Sequence, residues 1–292
     1  MTLNDFIITV FCLLDDDLQS RGRLRQRGPT PQLADSEVLT LLVVGEYLGI
    51  DTDQGLYEFF GQHYGAWFPA LPRVHRTTLT RQATNLWAVM AQVWQTLVAV
   101  PPLAQLLDSV PVPLCRFRRA RRCRRLREVA AYGFDPVAQQ TFFGCHLQLR
   151  LDLVGRIRAV ELLPANVSDI TAAPELLPPG SGVILADRGY ASPTLQAELA
   201  AQGTTLATPA RRRDPAQDAA RGWTPFLTQL RRTIETVFSQ LTARYHLKRV
   251  WARDRWHLTA RILRKILSHV VCVHLNLQLG RPPLQLDGLV TT

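Results

Sequence analysis

The stretch CHLQLRLDL alternates without a break, with leucines at 147, 149, 151 and 153 and mostly polar residues between them. A period of two puts those leucines on one side of an extended chain, which marks a β-strand with one buried face. Val154-Gly155-Arg156 supplies a tight turn and IRAVELLP a second strand, so the two pair as a hairpin. Upstream, LAQLLDSVPVPL is an apolar run that ends near prolines. Downstream come a short helix with loop (NVSDITAAPELLPPG), the strand VILAD, a helix stopped by Gly203 and the strand TTLATP. LTQLRRTIETVFSQLTARY is then a strong helix, and RWHLTARILRKILSHVVCVHLNLQLG closes the chain as a longer one. Strands followed by alternating helix and strand specify a mixed α/β core.

The first hundred residues are helical in pattern, and Val100-Pro101-Pro102 marks the boundary. The expected organisation is a helical domain over 1–100, the α/β core over 103–250 and a C-terminal helical extension over 251–292. A chain of 292 residues carries 34 basic and 24 acidic side chains, a net charge of +10 with a pI near 10. Such a surplus points to a polyanionic partner. Five scattered cysteines without CxxC spacing argue against a disulfide framework or a zinc ribbon and suit a reducing cytoplasm. The N-terminal apolar stretch lacks a basic leader and runs into Asp15-Asp16-Asp17, so neither a signal peptide nor a membrane span is expected.

Three carboxylates stand in informative contexts. Asp108, in LLDSVPV, and Asp187, in ILADRGY, each follow an apolar run and are expected at strand ends. Glu235 lies inside RRTIETVFSQL, bordering an apolar stripe of Ile234, Val237, Phe238 and Leu241, and is expected to point along the sheet rather than into water. Three acids gathered without a cation repel one another and raise each other's pKa. Magnesium removes that conflict, since it binds through carboxylate oxygens, waters and substrate phosphates. Two such ions about 4 Å apart can activate an attacking oxygen and steady a leaving one in phosphoryl transfer.

LLDSVPVPLC, LLPANVSDI, LADRGY and RRTIETVFSQL, in this order, resemble the DDE transposases of bacterial insertion sequences, with the insertion-sequence 982 family the nearest in pattern. DSEVLTLLVVGEYLGIDTDQGLYEFF is similar to that family's helical N-terminal region. The resemblance implies an RNase H-like core with Asp108, Asp187 and Glu235 as the acidic, metal-holding triad. It implies two magnesium ions, for which manganese can substitute. It also implies cleavage at an element's terminal inverted repeats and joining of the freed 3′-OH to target DNA. A homodimer on DNA and a bacterial, nucleoid-associated cytoplasmic location follow from that chemistry. Arg231 fits an arginine one turn before the glutamate, facing a phosphate; an intrahelical salt bridge with Glu235 is the other reading. The sequence departs from the wider pattern at Thr228 and Thr242, where related transposases carry Tyr and Lys, and at His146 and Gln148.

CRFRRARRCRRLR packs eight arginines between Arg116 and Arg127. Arg116, Arg118, Arg119, Arg121, Arg122, Arg124 and Arg125 are candidates for DNA phosphates, the alternative being a solvated charged loop. Arg188 and the run Arg211-Arg212-Arg213 join them. Trp223 is either a base-stacking residue near the cut or a core or hinge residue. The helical domain over 1–100 is expected to bind DNA and read the element's ends, and a helix-turn-helix-like arrangement around LPRVHRTTLTRQATNLW would present Arg73, Arg76 and Arg81 to it. Adjacent residues splay apart on a helix, so Asp15–Asp17 cannot converge on a metal; Asp169 is the better spare acid. The histidines have no ligand spacing, and no GxxxxGK loop is present. Two other functions share this charge and fold: a magnesium-dependent structure-specific endonuclease without strand transfer, and a decayed, non-catalytic DNA-binding copy.

Overall fold

The computed structural model describes residues 1–22, 30–124, 126–209, 224–250 and 252–291, with backbone alone for 224–229. The chain divides into two compact units, Met1–Leu97 with Leu241–Leu247 and Trp256–Thr292, and Val98–Gln240 with Lys248–Arg255.

The first unit is helical: α1 (Leu3–Ser20), α2 (Asp35–Tyr47), α3 (Asp53–His63), α4 (Arg76–Asn85), α5 (Trp87–Leu97) and the C-terminal helix, numbered α9 below (Arg255–Gln278). Thr2 and Asp5 start α1 with a reciprocal capping box. Helix α2 is buried on almost every side, as the run Val38–Val44, apolar but for Thr40, requires; the Thr40 hydroxyl donates to the Ser36 carbonyl. Helix α9 is buried likewise, and it carries Arg264 and Lys265 into that interior, where both meet Glu46 of α2. Arg264 also reaches Asp53 at 2.9 Å, so the buried charges are compensated. The C-terminal helix, set apart in the sequence as an extension, therefore falls within the helical unit from Trp256 onward. Arg73, Arg76 and Arg81 are exposed. No helix among the described residues is long and apolar enough to cross a membrane.

The second unit is built on a six-stranded mixed sheet: β1 (Ala104–Pro113), β2 (Ala131–Asp135), β3 (Gln140–Asp152), β4 (Ile157–Pro164), β5 (Gly182–Ala186) and β6 (Thr204–Ala207). The order is β2-β3-β1-β5-β6, with β4 sharing the far edge of β3 with β2. Strands β1 to β4 pair antiparallel, while β5 and β6 continue the sheet parallel to β1. The β3–β4 hairpin turns at Val154–Arg156, where Asp152 accepts the backbone N–H groups of Val154 and Arg156 and pairs with the Arg156 guanidinium at 2.6 Å. One face, with Leu107, Ile184 and Ala186, is covered by α6 (Asp169–Leu176) and α7 (Pro193–Ala201). Leu106 and Leu185, on the other face, meet Ile234 of α8 (Thr224–Ala243).

Strand β2 and the first third of β3 were not apparent in the sequence. Gly144 in that part of β3 has to be glycine, because a Cβ there would lie 2.1 Å from the Val112 carbonyl oxygen. The strand with one expected buried face is covered on both: Gln148 is fully buried, and Leu153 lies past the strand's end and is partly exposed.

Candidate active site

Asp108 is not at a strand end. It stands mid-way along β1, where pairing with β5 stops: Leu107 opposite Ala186 is the last pair of that parallel ladder. The run does end at a proline, Pro113, but five residues beyond Asp108; Pro111 lies inside the strand, and both prolines pair with β3. Leu114 N–H donates to Phe143 on β3, so by alternation residues 109, 111 and 113 turn their backbone nitrogens to the side that β5 has vacated. Pro111 and Pro113 have no N–H to leave unpaired. The Ser109 N–H is taken by the Asp108 carboxylate at 2.8 Å.

Asp187 immediately follows Ala186, so the two aspartates extend from adjacent residues of neighbouring strands onto the same face. Asp187 also caps the 3₁₀ turn Arg188–Tyr190, accepting the Gly189 N–H at 2.7 Å. Asp108, Asp187 and Arg231 line one small cleft with Leu106, Leu185 and Ile234. Burial raises the Asp108 pKa to about 6; the Asp187 and Asp169 charges add to the rise, and the Ser109 N–H and Arg231 oppose it.

Glu235 is exposed and is not part of that cleft's lining, contrary to the expectation that it would lie along the sheet. Helical geometry explains the difference. Ile234, Val237 and Leu241 are the buried stripe of α8, and at 100° per residue Glu235 lies about 130° from its centre and Arg231 about 90°. Among the described residues, no set of three or more His, Cys, Asp or Glu is gathered closely enough to hold a metal ion. The Asp108–Asp187 pair nevertheless has the hard oxygen donors that magnesium accepts, an ion that keeps several of its own waters.

A second layer lies on the opposite face, behind Asp108. Ser109 Oγ donates to Asp169 Oδ2 at 2.6 Å, His146 Nδ1 stands 3.5 Å from Asp169 Oδ1, and Gln148 Nε2 donates to the Asp169 carbonyl at 2.7 Å. Gln148 Nε2 also reaches the hydroxyl of buried Tyr190 at 3.2 Å. Burial pushes the Asp169 pKa up, but His146, Ser109 and Gln148 outweigh it and hold the carboxyl below its ordinary value. Burial and the charges of Asp169, Asp108 and Asp187 raise the Tyr190 pKa. Ser109, Gln148 and Tyr190 were not marked as site residues in the sequence. The signals available were Ser109 and Tyr190 inside the LLDSVPV and LADRGY motifs, and the departures at His146 and Gln148 on polar positions of a strand whose second face is covered.

Arg116, Arg118, Arg119, Arg121, Arg122, Arg124, Arg188 and Arg231 are all exposed, the first five on or just before the 3₁₀ turn Phe117–Arg122. Arg125, Arg211, Arg212, Arg213 and Trp223 lie outside the described residues, as does the side chain of Thr228.

Residues 102–254, which contain the whole sheet, both aspartates and Glu235, match the transposase DDE domain family. The chain belongs to that family. A DDE transposase domain supports a transposase role, acts on DNA and in general depends on a divalent metal. No curated protein and no solved structure matches this DDE transposase-family chain significantly.

Proposed function

We propose that the protein is the transposase of an insertion sequence of the 982 type, with an RNase H-like catalytic core. It binds the terminal inverted repeats, cleaves at the element's ends and joins the freed 3′-OH to target DNA. The observation that carries this is the placement of Asp108 and Asp187 side by side at the end of the β1–β5 ladder, inside the segment that matches the family. The sheet order supports the core assignment, with antiparallel β1, β3 and β4 followed by parallel β5 and β6.

Asp108 and Asp187 are the metal-holding carboxylates, and Glu235, one turn of α8 beyond the cleft-lining Arg231, is the third. Magnesium ions, expected as a pair and replaceable by manganese, supply when bound the charge that activates a water or 3′-OH and stabilises the leaving oxygen. Arg231, in the same cleft as the aspartates, is placed to hold a phosphate oxygen of the scissile strand. The exposed arginines of the Phe117–Arg122 turn, Arg124 and Arg188 position the duplex through its phosphates. Arg125, Arg211, Arg212, Arg213 and base-stacking Trp223 belong to this assignment on sequence grounds. Joining two ends in one event calls for a homodimer on DNA, acting in the cytoplasm.

The test pairs purified wild type with Glu235→Gln on labelled duplex carrying the repeats that flank the gene, with a target plasmid and magnesium. Wild type should cleave and join. Glu235→Gln should do neither, while its melting curve overlays the wild type's, because an exposed glutamate contributes little to the fold. Cleavage without joining would assign the nuclease instead. Binding without cutting by either protein would mark a decayed copy.

A further inference from the structure

We propose that the cleft between the arginine-rich 3₁₀ turn and strand β2 binds one unpaired nucleotide of the DNA, a site that rests on the transposase reading and extends it. The cleft has a volume of about 670 Å³ and is lined in part by Tyr132, Phe143, Arg121, Arg127 and Asn166. That is within the size range of small-molecule sites.

Its walls suit the three parts of a nucleotide. Tyr132, half exposed, makes T-shaped ring contacts with Phe117, 5.8 Å away and also half exposed, and with buried Phe143 at 5.2 Å. Two ring contacts hold Tyr132 in place, and an aromatic ring half open to solvent is the kind of group on which an unpaired base stacks. Arg127 is fixed at the rim by donating from Nη2 to the Arg121 carbonyl at 3.0 Å. Eight arginines and no acidic residue lie between Arg116 and Arg127, the first acid being Glu128, so the rim carries a net positive charge that suits a phosphate. Asn166 is exposed and offers both donors and an acceptor to a base edge.

The backbone is shaped to bring these groups together. A Cβ on Gly133 would lie 2.7 Å from Ala165 Cβ and 2.8 Å from the Ala165 carbonyl oxygen, so glycine alone lets β2 press against the segment that carries Asn166. The Ala165 N–H is held by the Gly144 carbonyl at 3.1 Å. Register also ties the cleft to the acids. Tyr132 pairs with Phe143 and Asp108 with Leu149, residues of the same parity on β3, so both pairs lie on one face of the sheet. Six residues of strand separate Phe143 from Leu149, a span of about 20 Å. That corresponds to roughly six base steps of duplex. A fully paired duplex presents phosphates but no base face, and would leave the Tyr132 ring unused. An extruded base near the cut uses the ring, the arginines and the amide together.

The experiment measures affinity of the full chain, by fluorescence anisotropy, for a fully paired duplex and for the same duplex with one unpaired nucleotide. Wild type should prefer the second. Tyr132→Leu keeps an apolar side chain against Phe117 and Phe143 but loses the aromatic face. It should reduce that preference by between about five-fold and 150-fold. Its affinity for paired duplex should stay unchanged, and Tyr132→Phe should behave as wild type. Asn166→Ala, an exposed change that cannot disturb the core, should lower the preference in the same direction and serves if Tyr132→Leu does not fold. Equal binding of both duplexes by wild type, or a preference that survives both Tyr132→Leu and Asn166→Ala, would overturn the site and leave the transposase reading standing. Failure of wild type to bind either duplex would overturn both.

Discussion

Asparagine in place of Asp108 changes one charge and little else: the amide oxygen can still accept the Ser109 N–H, and the volume is the same. In the unfolded chain this carboxyl ionises near 3.8, and in the fold at about 6, mainly through burial and with the Asp187 charge adding to the rise. A folded pKa above the unfolded one means that stability is fully present below pH 3.8. It falls between those values, where the unfolded chain has given up a proton that the folded chain retains, and it is lost above pH 6. A difference of about two pH units at about 1.4 kcal/mol each amounts to about 3 kcal/mol. Asp108→Asn should therefore be the more stable protein at pH 7.5 in chelator, by an amount approaching that figure. The assay is urea denaturation of both proteins in EDTA at a series of pH values from 3.5 to 8. Their difference isolates the charge at position 108 together with its coupling to Asp187, Asp169 and Arg231; it should be small at the acid end, grow with pH and level off above pH 6. A constant difference, or an asparagine variant less stable at pH 7.5, would refute the claim that burial in this fold holds the Asp108 carboxyl above its ordinary pKa.

Two further substitutions probe the supports of each unit. Glu46→Gln leaves Lys265 buried with no ion pair among the described residues and Arg264 with Asp53 alone. It should cost about 3–5 kcal/mol in a urea titration followed by far-UV circular dichroism. Gly144→Ala sets a methyl against the Val112 carbonyl, where only a shift of β1 or β3 relieves the contact. A loss of about 3 kcal/mol, read from the urea midpoint, is expected.

Where a residue's role followed from its own neighbours in the chain, the sequence disclosed it. Leu147, Leu149 and Leu151 alternate and are buried. The run Val183–Ala186 is a short strand, and Asp187 follows it as expected. What the sequence hid was set by pairing across the fold. Strand β2 is five residues long, contains a glycine and leaves Tyr132 and Phe134 half exposed, so it has no buried period to detect. Asp108 read as the strand's last residue because nothing local reveals that β5 stops at Ala186 while β1 runs on along β3 to Pro113. Glu235 sits beside an apolar stripe on paper, but the stripe that is buried begins at Ile234 and runs away from it. The cluster of Ser109, His146, Gln148 and Asp169 required the register Ser109 opposite Gln148, which no single segment specifies.

The prolines of β1 also bear on how the protein behaves in a crowded solution. An unpaired strand edge with free N–H groups is a template on which another chain can add a strand, and such edges seed aggregation and unintended sheet-to-sheet dimers. Past Leu107, the vacant side of β1 carries one N–H already bound by Asp108 and two prolines that have none. The lip beside the acids therefore needs no covering helix to be safe. An edge protected in this way can remain open to a substrate as bulky as a DNA duplex.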